Sequence, residues 1–320
     1  MTSPRILVLG GRTNPRAPLV PLGWHLSELN HAASKLGVEL FFADYESLTA
    51  EIESTGPRTR ATCRSVEMDR PVSMCFDEFD CVFTRTMPAG STEQLVYRLA
   101  TLHDEYYRRR KKGQPSSFVN PPAALELAID KYATLARVSR MGILTPATVV
   151  TQSRAEAMDA FDRLGGDVVV KPIFGGEGRG VMRISDKELA WTAFTALQQI
   201  GAVFYVQQFC PPGGTDIRLL VIGDEVYAIK RVCKDDFRTN VRAGGKPERI
   251  ECIAPWRQLA LQVCREFELA FAAVDLVELN HNAGYCLMEV NAIPGWKSAQ
   301  SALPVCVAEQ IVSVLKSRSV

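Results

Sequence analysis

The sequence lacks the features that mark secreted and membrane-embedded proteins. Its nine cysteines stand singly, with no C-x-x-C pair, and an odd number fits a disulfide framework badly. No segment approaches the roughly 20 apolar residues that a membrane span needs, and the apolar run at residues 6–9 is too short for a signal peptide. We therefore expect reduced thiols in a cytoplasmic protein without a membrane segment.

An excess of charge of either sign is also missing. The 37 Lys and Arg residues nearly balance the 36 Asp and Glu residues, for a formal net charge of +1. No overall field draws such a protein towards nucleic acid or a membrane surface. The basic run at residues 108–112 is more typical of a solvated helix C-terminus, where the helix dipole favours cations, than of a nucleic-acid contact. We expect no nucleic-acid partner.

Two common nucleotide-binding fingerprints are absent. The predicted first strand, residues 6–9, ends in Gly10-Gly11 without the G-x-G-x-x-G spacing, which disfavours an NAD-dependent dehydrogenase. No Gly-Lys-Ser/Thr sequence opens a helix, so a Walker A loop is missing as well. The strand–helix–strand order of residues 6–44 nevertheless predicts a parallel α/β lobe.

The pattern of predicted elements changes along the chain. Residues 54–78 are polar and interrupted by proline, which indicates a loop or a short hairpin. One helix is predicted from Ala123 to Met141, and a mixed or antiparallel sheet is predicted in the last third. We divide the chain into an N-terminal α/β domain (1–122), a central subdomain (123–205) and a C-terminal subdomain (206–320).

A lysine followed by a glycine-rich loop is the sharpest local feature. The buried strand at residues 168–171 ends in Lys171. Glycine lets backbone N–H groups close over phosphate oxygens, and the lysine adds a point charge. A flexible hairpin would look the same if this feature stood alone. The candidate loop residues are Gly175, Gly176, Glu177, Gly178, Arg179 and Gly180.

Hard oxygen ligands fall on two predicted neighbouring strands near the end of the chain. Glu289 and Asn291 are two residues apart, so their side chains share one face of a strand. Asp275 lies on the strand before it. Such a set suits Mg²⁺, which takes a few carboxylates together with phosphate oxygens and water. The alternative is a hairpin whose polar face is only solvated.

Arginines are concentrated between these two features. Asp216, Arg218 and Arg231 lie on a predicted hairpin that turns at Gly223-Asp224, and an Arg- and Asn-containing loop follows at residues 236–245. Such side chains could clamp a triphosphate and a substrate carboxylate through charge-assisted hydrogen bonds. A solvated loop is equally consistent with the segment taken alone.

In this order and spacing, the blocks resemble the ATP-grasp superfamily, and within it the RimK-like glutamate ligases. The resemblance covers residues 123–318 and includes Asp130-Lys131 and the hinge strand at 206–209. It implies an ATP-grasp fold behind a Rossmann-like N-terminal lobe. It also implies an ADP-forming ligase that activates a carboxylate as an acyl phosphate, with ATP and Mg²⁺ (or Mn²⁺) as cofactors, and joins it to an amine.

The resemblance further implies a role for each matched residue. Lys131 and Lys171 would hold phosphates, Gln208 and Phe209 would contact adenine, and Asp216 would approach the ribose. The remaining implied roles are phosphate contact for Arg238, Thr239 and Asn240, metal binding for Asp275, Glu289 and Asn291, and catalysis for Lys171, Arg218 and Arg238. The hinge of the family usually carries glutamate where this chain has Gln208, so base recognition would use the amide and backbone groups.

Residues 84–91 resemble ATP-grasp proteins of bacterial tetrahydromethanopterin and methanofuran one-carbon pathways, which add glutamate to a cofactor. We therefore expect L-glutamate as the donor and a small-molecule carboxylate, such as a pterin or furan cofactor, as the acceptor. Arg85, Arg231 and Arg242 are candidate substrate contacts, because arginine pairs with carboxylates in a fork. Alternatives are another amine, as in lysine-biosynthesis capping or dipeptide synthesis, and a non-catalytic nucleotide-binding subunit. The oligomeric state stays open, a homo-oligomer included.

Overall fold

A computed structural model describes residues 3–10, 23–54, 56–114, 117–176, 178–239, 244–279 and 284–319. The elements of the N-terminal lobe are β1 (Arg5–Gly10), α1 (Trp24–Leu36), β2 (Glu39–Asp44), β3 (Thr49–Glu53), β4 (Gly56–Cys63), β5 (Val72–Cys75), β6 (Cys81–Thr84), α2 (Thr92–Lys111) and β7 (Phe118–Val119). Its main sheet has the order β2-β1-β6-β7, and each neighbouring pair is parallel. The predicted parallel α/β lobe is therefore confirmed.

The segment at residues 54–78, predicted as a loop or a short hairpin, contains a hairpin that belongs to a second sheet. Strands β3, β4 and β5 form an antiparallel three-stranded sheet. Ala61, Cys63 and Met74 point from it into a core that also contains Phe41 and Tyr45. The hairpin alternative is therefore confirmed. The three-stranded sheet was not predicted because so few of its residues are apolar, and their alternation becomes visible only once the buried face is known.

Helix α2 corrects the prediction made for the basic run. At its N-terminus, Ser91 accepts a hydrogen bond from Gln94 N at 3.2 Å, and the Gln94 side chain accepts one from Ser91 N at 3.1 Å. The basic run at the other end is not solvated throughout, because Arg109 is 3% exposed. Its guanidinium donates to Glu105 Oε1 at 2.7 Å and to Phe76 O at 2.6 Å. Arg109 therefore anchors the helix to the core.

The rest of the chain forms two antiparallel sheets. The elements are α3 (Pro122–Ile129), α4 (Lys131–Arg140), β8 (Thr148–Thr151), α5 (Arg154–Arg163), β9 (Val168–Lys171), β10 (Met182–Ile184), α6 (Lys187–Gln199), β11 (Phe204–Gln208), β12 (Thr215–Ile222), β13 (Glu225–Val232), β14 (Lys246–Arg249), α7 (Ala254–Glu266), β15 (Phe271–Glu278), β16 (Tyr285–Asn291), α8 (Lys297–Ala302) and α9 (Val307–Ser317). The strand orders are β10-β9-β11-β8 and β14-β13-β12-β15-β16. The larger sheet confirms the antiparallel architecture predicted for the last third.

The single helix predicted from Ala123 to Met141 is broken at Asp130. This residue has an extended conformation (φ −92°, ψ 108°), and its carboxylate accepts hydrogen bonds from Tyr132 N at 2.8 Å and Ala133 N at 3.0 Å. Aspartate favours the N-cap position because its side chain satisfies the free N–H groups of a first helical turn. The break places Lys131 at the start of α4.

Hydrophobic cores connect segments that are distant in the sequence. Helix α9 packs with α1 and shares a core with Phe271 of the larger sheet, whereas α3 and α4 pack against β16 of that sheet. Asn120, which is 1% exposed, donates to Phe271 O at 2.7 Å and to Ala292 O at 2.8 Å. The sheet of β8–β11 has a separate core with α5 and α6. The segment boundaries at residues 122 and 205 stay predictions.

Helices long and apolar enough to cross a membrane do not occur among the described residues.

Candidate functional site

A cleft lined by both antiparallel sheets contains most of the predicted site residues. Those that line it are Lys131, Lys171, Gly175, Gly176, Gly178, Arg179, Gln208, Phe209, Asp216, Arg231, Arg238, Thr239, Asp275 and Glu289. Gly180, Arg218 and Asn291 are described but do not line it, and Arg85 belongs to the N-terminal lobe. Glu177, Asn240 and Arg242 lie outside the described residues.

Two lysines line the cleft, and one of them contacts the glycine-rich loop. Lys131 Nζ donates to Gly175 O at 2.6 Å and to Ile173 O at 3.3 Å, and Lys171 Nζ donates to Gln207 Oε1 at 2.6 Å. Burial lowers the pKa of both lysines, and the nearby carboxylate of Glu289 opposes that shift. An ammonium group has three donors, so each lysine keeps at least one for a ligand.

The backbone of the loop explains its glycine content. Gly175 and Gly180 have φ angles of 129° and 70°, a region that side chains with a Cβ disfavour. Arg238 contacts the loop, because its Nη1 donates to Gly178 O at 3.4 Å. Asp236 orients that arginine, with Arg238 Nη2 2.6 Å from Asp236 Oδ2. Sequence analysis missed the role of Asp236, although its spacing of two residues from Arg238 is a usable signal.

A buried glutamine that sequence analysis overlooked positions Lys171. Gln207 is fully buried, accepts from Lys171, and donates to Thr148 Oγ1 at 3.0 Å and Tyr205 OH at 3.2 Å. It follows that the lysine is oriented by a satisfied polar network. Only the pairing of β11 with β8 and β9 reveals this contact, because Gln207 and Lys171 are 36 residues apart.

An arginine–carboxylate network forms the floor of the cleft. Asp275 accepts from Arg218 Nε at 2.8 Å and Nη2 at 2.6 Å, and from Arg231 Nη2 at 3.0 Å. Arg231 also forms a two-point pair with Asp216, which accepts from Thr239 Oγ1 as well. Burial alone would raise the pKa of Asp275, but the two arginines hold it at about 2. The pairing commits Arg231 Nε and Nη2 to protein carboxylates.

The predicted metal ligands are compatible with Mg²⁺. Asp275 and Glu289 are directly opposed on β15 and β16, and Asn291 follows two residues later on the same strand. In the described part of the chain, Glu289 forms no hydrogen bond or ion pair, and Asp275 Oδ1 accepts only one hydrogen bond. Within the described ranges, no group of three or more His, Cys, Asp or Glu side chains is close enough together to hold a metal ion. Mg²⁺ is commonly bound by only one or two carboxylates, with phosphate oxygens and water as its other ligands. Asp275, Glu289 and Asn291 fit that kind of site, and their assignment as metal ligands stays a prediction.

The predicted hinge residues, Gln208 and Phe209, line the cleft beside a second aromatic ring. Phe209 packs edge-on against Phe237, with ring centroids 6.2 Å apart, and the Arg183 guanidinium carbon lies 3.6 Å from the centroid of the Phe209 ring. Gln208 N donates to Ala147 O at 2.9 Å, and Phe209 N donates to Asp167 O at 3.1 Å. The exposed Gln208 amide therefore remains as the donor available to a base at this position.

The comparisons with known proteins agree with this architecture. Residues 128–315 match the RimK-like ATP-grasp domain. The chain is 30% identical over 252 residues to the tetrahydromethanopterin:alpha-L-glutamate ligase of Methanocaldococcus jannaschii, covering 75% of this chain and 82% of that protein. It is 33% identical over 198 residues to the ribosomal protein bS6–L-glutamate ligase of Escherichia coli O139:H28, covering 61% and 65% of the two chains.

The fold also matches solved structures. The ATP-grasp ligase PsnB, in complex with minimal precursor, Mg and ADP, aligns with a TM-score of 0.69 at 18% identity and covers 98% of this chain and 97% of its own. That likeness extends across the N-terminal lobe and both antiparallel sheets, and so supports the predicted ATP-grasp fold. The domain match spans more than half of the sequence. The chain therefore belongs to the RimK-like ATP-grasp family of ADP-forming acid–amino-acid ligases.

Proposed function

We propose that the protein joins the amine of L-glutamate to a carboxylate of a small-molecule acceptor, with conversion of ATP to ADP and phosphate. The observation that carries this proposal is the convergence in one cleft of Lys131, Lys171 and Glu289, a carboxylate without an ion pair among the described residues. The lysines would hold the phosphates, Asp275 and Glu289 would hold the metal, and the hinge at Gln208 and Phe209 would contact the base. Nine free cysteines agree with the proposed cytoplasmic location.

The residues of the cleft act mainly by positioning and charge. Asp275, Glu289 and Asn291 would hold Mg²⁺, which when bound neutralises phosphate charge and orients the transferring group. Lys131 and Lys171 direct their remaining N–H donors at phosphate oxygens, and Arg238 stabilises charge from the loop side. Arg218 contributes to catalysis by fixing the orientation of Asp275. The acceptor carboxylate attacks the γ-phosphoryl group, and the glutamate amine then displaces phosphate from the acyl phosphate.

Glutamate as the donor is supported by the density of cations around residues 218–242. A second carboxylate on the donor requires a partner of its own, and arginine supplies a matching fork. Arg231 retains Nη1 for this purpose, since its other donors hold Asp216 and Asp275. We assign donor binding to Arg231 and Arg242. Relatives named as glutamate ligases support the same donor.

The proposed acceptor is a pterin or furan cofactor of one-carbon metabolism. The tetrahydromethanopterin ligase aligns with 75% of this chain, whereas the ribosomal-protein ligase aligns with 61%. The longer alignment favours a small molecule. A protein or peptide acceptor is the second candidate, because the bS6 ligase and the PsnB precursor complex belong to relatives and neighbours of this chain.

A screen of donors and acceptors tests the proposal. We expect ADP release with Mg·ATP and L-glutamate only when a pterin- or furan-containing carboxylate is present, with a product heavier by one glutamyl residue in mass spectrometry. Glutamine and alanine should react far more slowly, because they lack the carboxylate that would accept from the Nη1 group of Arg231. A better rate with lysine, alanine or glycine contradicts the donor assignment. Nucleotide binding without turnover for any acceptor would indicate a non-catalytic subunit.

A further inference from the structure

Buried arginines in this protein generally have acceptors for their hydrogen bonds. Arg109, 3% exposed, donates to Glu105 and to main-chain carbonyls. Arg231, 4% exposed, is paired with Asp216 and Asp275. Such pairing is expected, because a charge removed from water is costly unless it is paired and hydrogen-bonded.

Arg85 is buried to nearly the same extent without such partners. It is 6% exposed, and its guanidinium forms no hydrogen bond or ion pair within the described ranges. Its guanidinium carbon lies 4.7 Å from the centroid of the Trp296 ring. Desolvation lowers the pKa of Arg85 to about 10, and no carboxylate opposes that shift. The side chain is therefore a buried cation that lacks a counter-charge among the described residues.

The surroundings of Arg85 contribute one further cation, Lys297, and further donors. His25, whose ring centroid is 4.4 Å from that of Trp296, has its pKa lowered to about 4 by burial and by the charges of Arg85 and Lys297. Thr86 Oγ1 and Trp296 Nε1 are also buried without a hydrogen-bond partner among the described residues. A region rich in donors and cations is complementary to an anion.

The position of Arg85 in the sheet is one where α/β folds bind ligands. Its backbone N–H donates to Leu9 O at 2.8 Å, so it lies at the carboxyl ends of β1 and β6. In the order β2-β1-β6-β7, the chain leaves β1 towards one side and later returns on the other. A crevice forms at the carboxyl end of such a reversal, and ligands bind there.

We propose that Arg85, the Thr86 hydroxyl and the Trp296 indole N–H bind an anionic group of the acceptor, a carboxylate or a phosphate. This inference rests on the proposed ligase function and gives the acceptor a site on the N-terminal lobe. The nucleotide phosphates have Lys131 and Lys171 in the cleft, which Arg85 does not line. The planar fork of arginine matches the geometry of carboxylate and phosphate groups.

Thermal unfolding of the full chain with saturating Mg·ADP tests the site. The melting temperature is measured against inorganic phosphate and, separately, against succinate, at an ionic strength held constant with chloride. Because Mg·ADP leaves the position of the γ-phosphate open to inorganic phosphate, only the part of the rise that Arg85→Met weakens reports a second site. We expect such a rise in the wild type, an apparent Kd at least about tenfold weaker in Arg85→Met, and an intermediate Kd in Arg85→Lys.

The matched control is Arg109→Met, another buried arginine of the same lobe. We expect it to melt at a lower temperature but to keep the anion-dependent rise. Arg85→Met should melt at or above the wild-type temperature without anion, because it removes an unpaired buried charge. A loss of stability like that of Arg109→Met, or an anion effect that survives Arg85→Met, overturns the inference. No response to Mg·ADP would instead count against the proposed function, and titration without nucleotide would still test Arg85.

Discussion

Glu289 in the cleft and Arg85 on the N-terminal lobe have opposite charges, and each lacks an ion-pair partner in the described part of the chain. Glu289 is a carboxylate that forms no ion pair in the described part of the chain. Its charge nevertheless raises the pKa of Lys131 and of Lys171, against the larger effect of burial. Arg85 is a guanidinium without a carboxylate, stacked on Trp296. Most other buried charges are paired in the described part of the chain, so the buried Arg85 and the half-buried Glu289 each indicate a ligand of the opposite sign. Glu289 forms no ion pair there although cations line the cleft, and Arg85 has no carboxylate beside it.

The paired groups around them have a different role. Arg218, Asp275, Arg231 and Asp216 hold one another through two-point contacts. These contacts fix the orientation of the Asp275 carboxylate. Its Oδ1 atom accepts one hydrogen bond and so keeps a lone pair that could coordinate a metal ion. The network therefore positions the site, whereas the unpaired residues recognise what binds to it. The following experiments separate these two roles.

The largest effect is expected from removal of the unpaired acid or of the lysine beside it. Glu289→Ala and Lys171→Ala should each lower the rate of ADP formation by about 10³-fold or more, since a lost metal or phosphate contact costs several kcal/mol of transition-state stabilisation. Melting temperatures should stay close to that of the wild type. Glu278→Ala, at the exposed end of β15, is the control and should keep full activity. Near-normal turnover in either folded site variant contradicts the assignment.

The next effect concerns stability within the paired network. Arg231→Met should lower the free energy of unfolding by about 3 kcal/mol or more, because Asp216 and Asp275 stay buried without their shared partner. Arg85→Met should not. Urea denaturation at pH 7 measures both variants. If the two variants lose equal stability, the distinction between positioning and recognition fails.

The same network predicts how stability depends on pH. The carboxyl of Asp275 has a pKa of about 2 in the folded protein, below the value of about 3.9 for an unfolded aspartate. Its contribution is therefore complete above the unfolded pKa and is lost as pH falls from about 4 towards 2. Urea titrations across this range should show a shallower acid-dependent loss in Arg231→Met than in the wild type. Identical slopes contradict the coupling.

A smaller effect is expected at the break between α3 and α4. Asp130→Ala removes the N-cap of α4 and should cost about 1 kcal/mol of stability. Because Lys131 begins that helix, the KM for ATP should rise while the KM for glutamate changes less. Asp130→Asn, which preserves the capping oxygen, should restore both. A cap that serves stability alone would leave the KM for ATP unchanged.

The smallest change is a shift in thiol reactivity inside the cleft. A hydrogen bond from the Cys286 thiol and the charge of Lys171 lower the pKa of Cys210 to about 7, although burial opposes them. Alkylation of Cys210 by iodoacetamide should therefore rise through about pH 7, and Mg·ATP should protect it because Cys210 lines the cleft. Peptide mass spectrometry follows the rate. A midpoint near that of an ordinary thiol, or no protection, contradicts this prediction.

Local sequence patterns were sufficient for much of the fold and of the candidate site. Alternating and continuous apolar runs predicted β1, β12 and β13 with the turn between them. The Lys171–glycine loop and the Asp275, Glu289 and Asn291 set were also visible, because a strand's period of two fixes which neighbours share a face. These features depend only on residues close together in the chain, and for that reason the sequence by itself determined them.

Tertiary structure decided which charges are paired. Asp275 and Arg231 are 44 residues apart, and they meet because β12 lies between β13 and β15. Gln207 orients Lys171 for a similar reason, and Arg109 became a buried anchor because carbonyls 30 and 33 residues earlier face it. Sheet order and strand register, which local periodicity does not encode, determine these contacts. The same packing buried Arg85 against Trp296 and left it without a counter-charge in the described part of the chain.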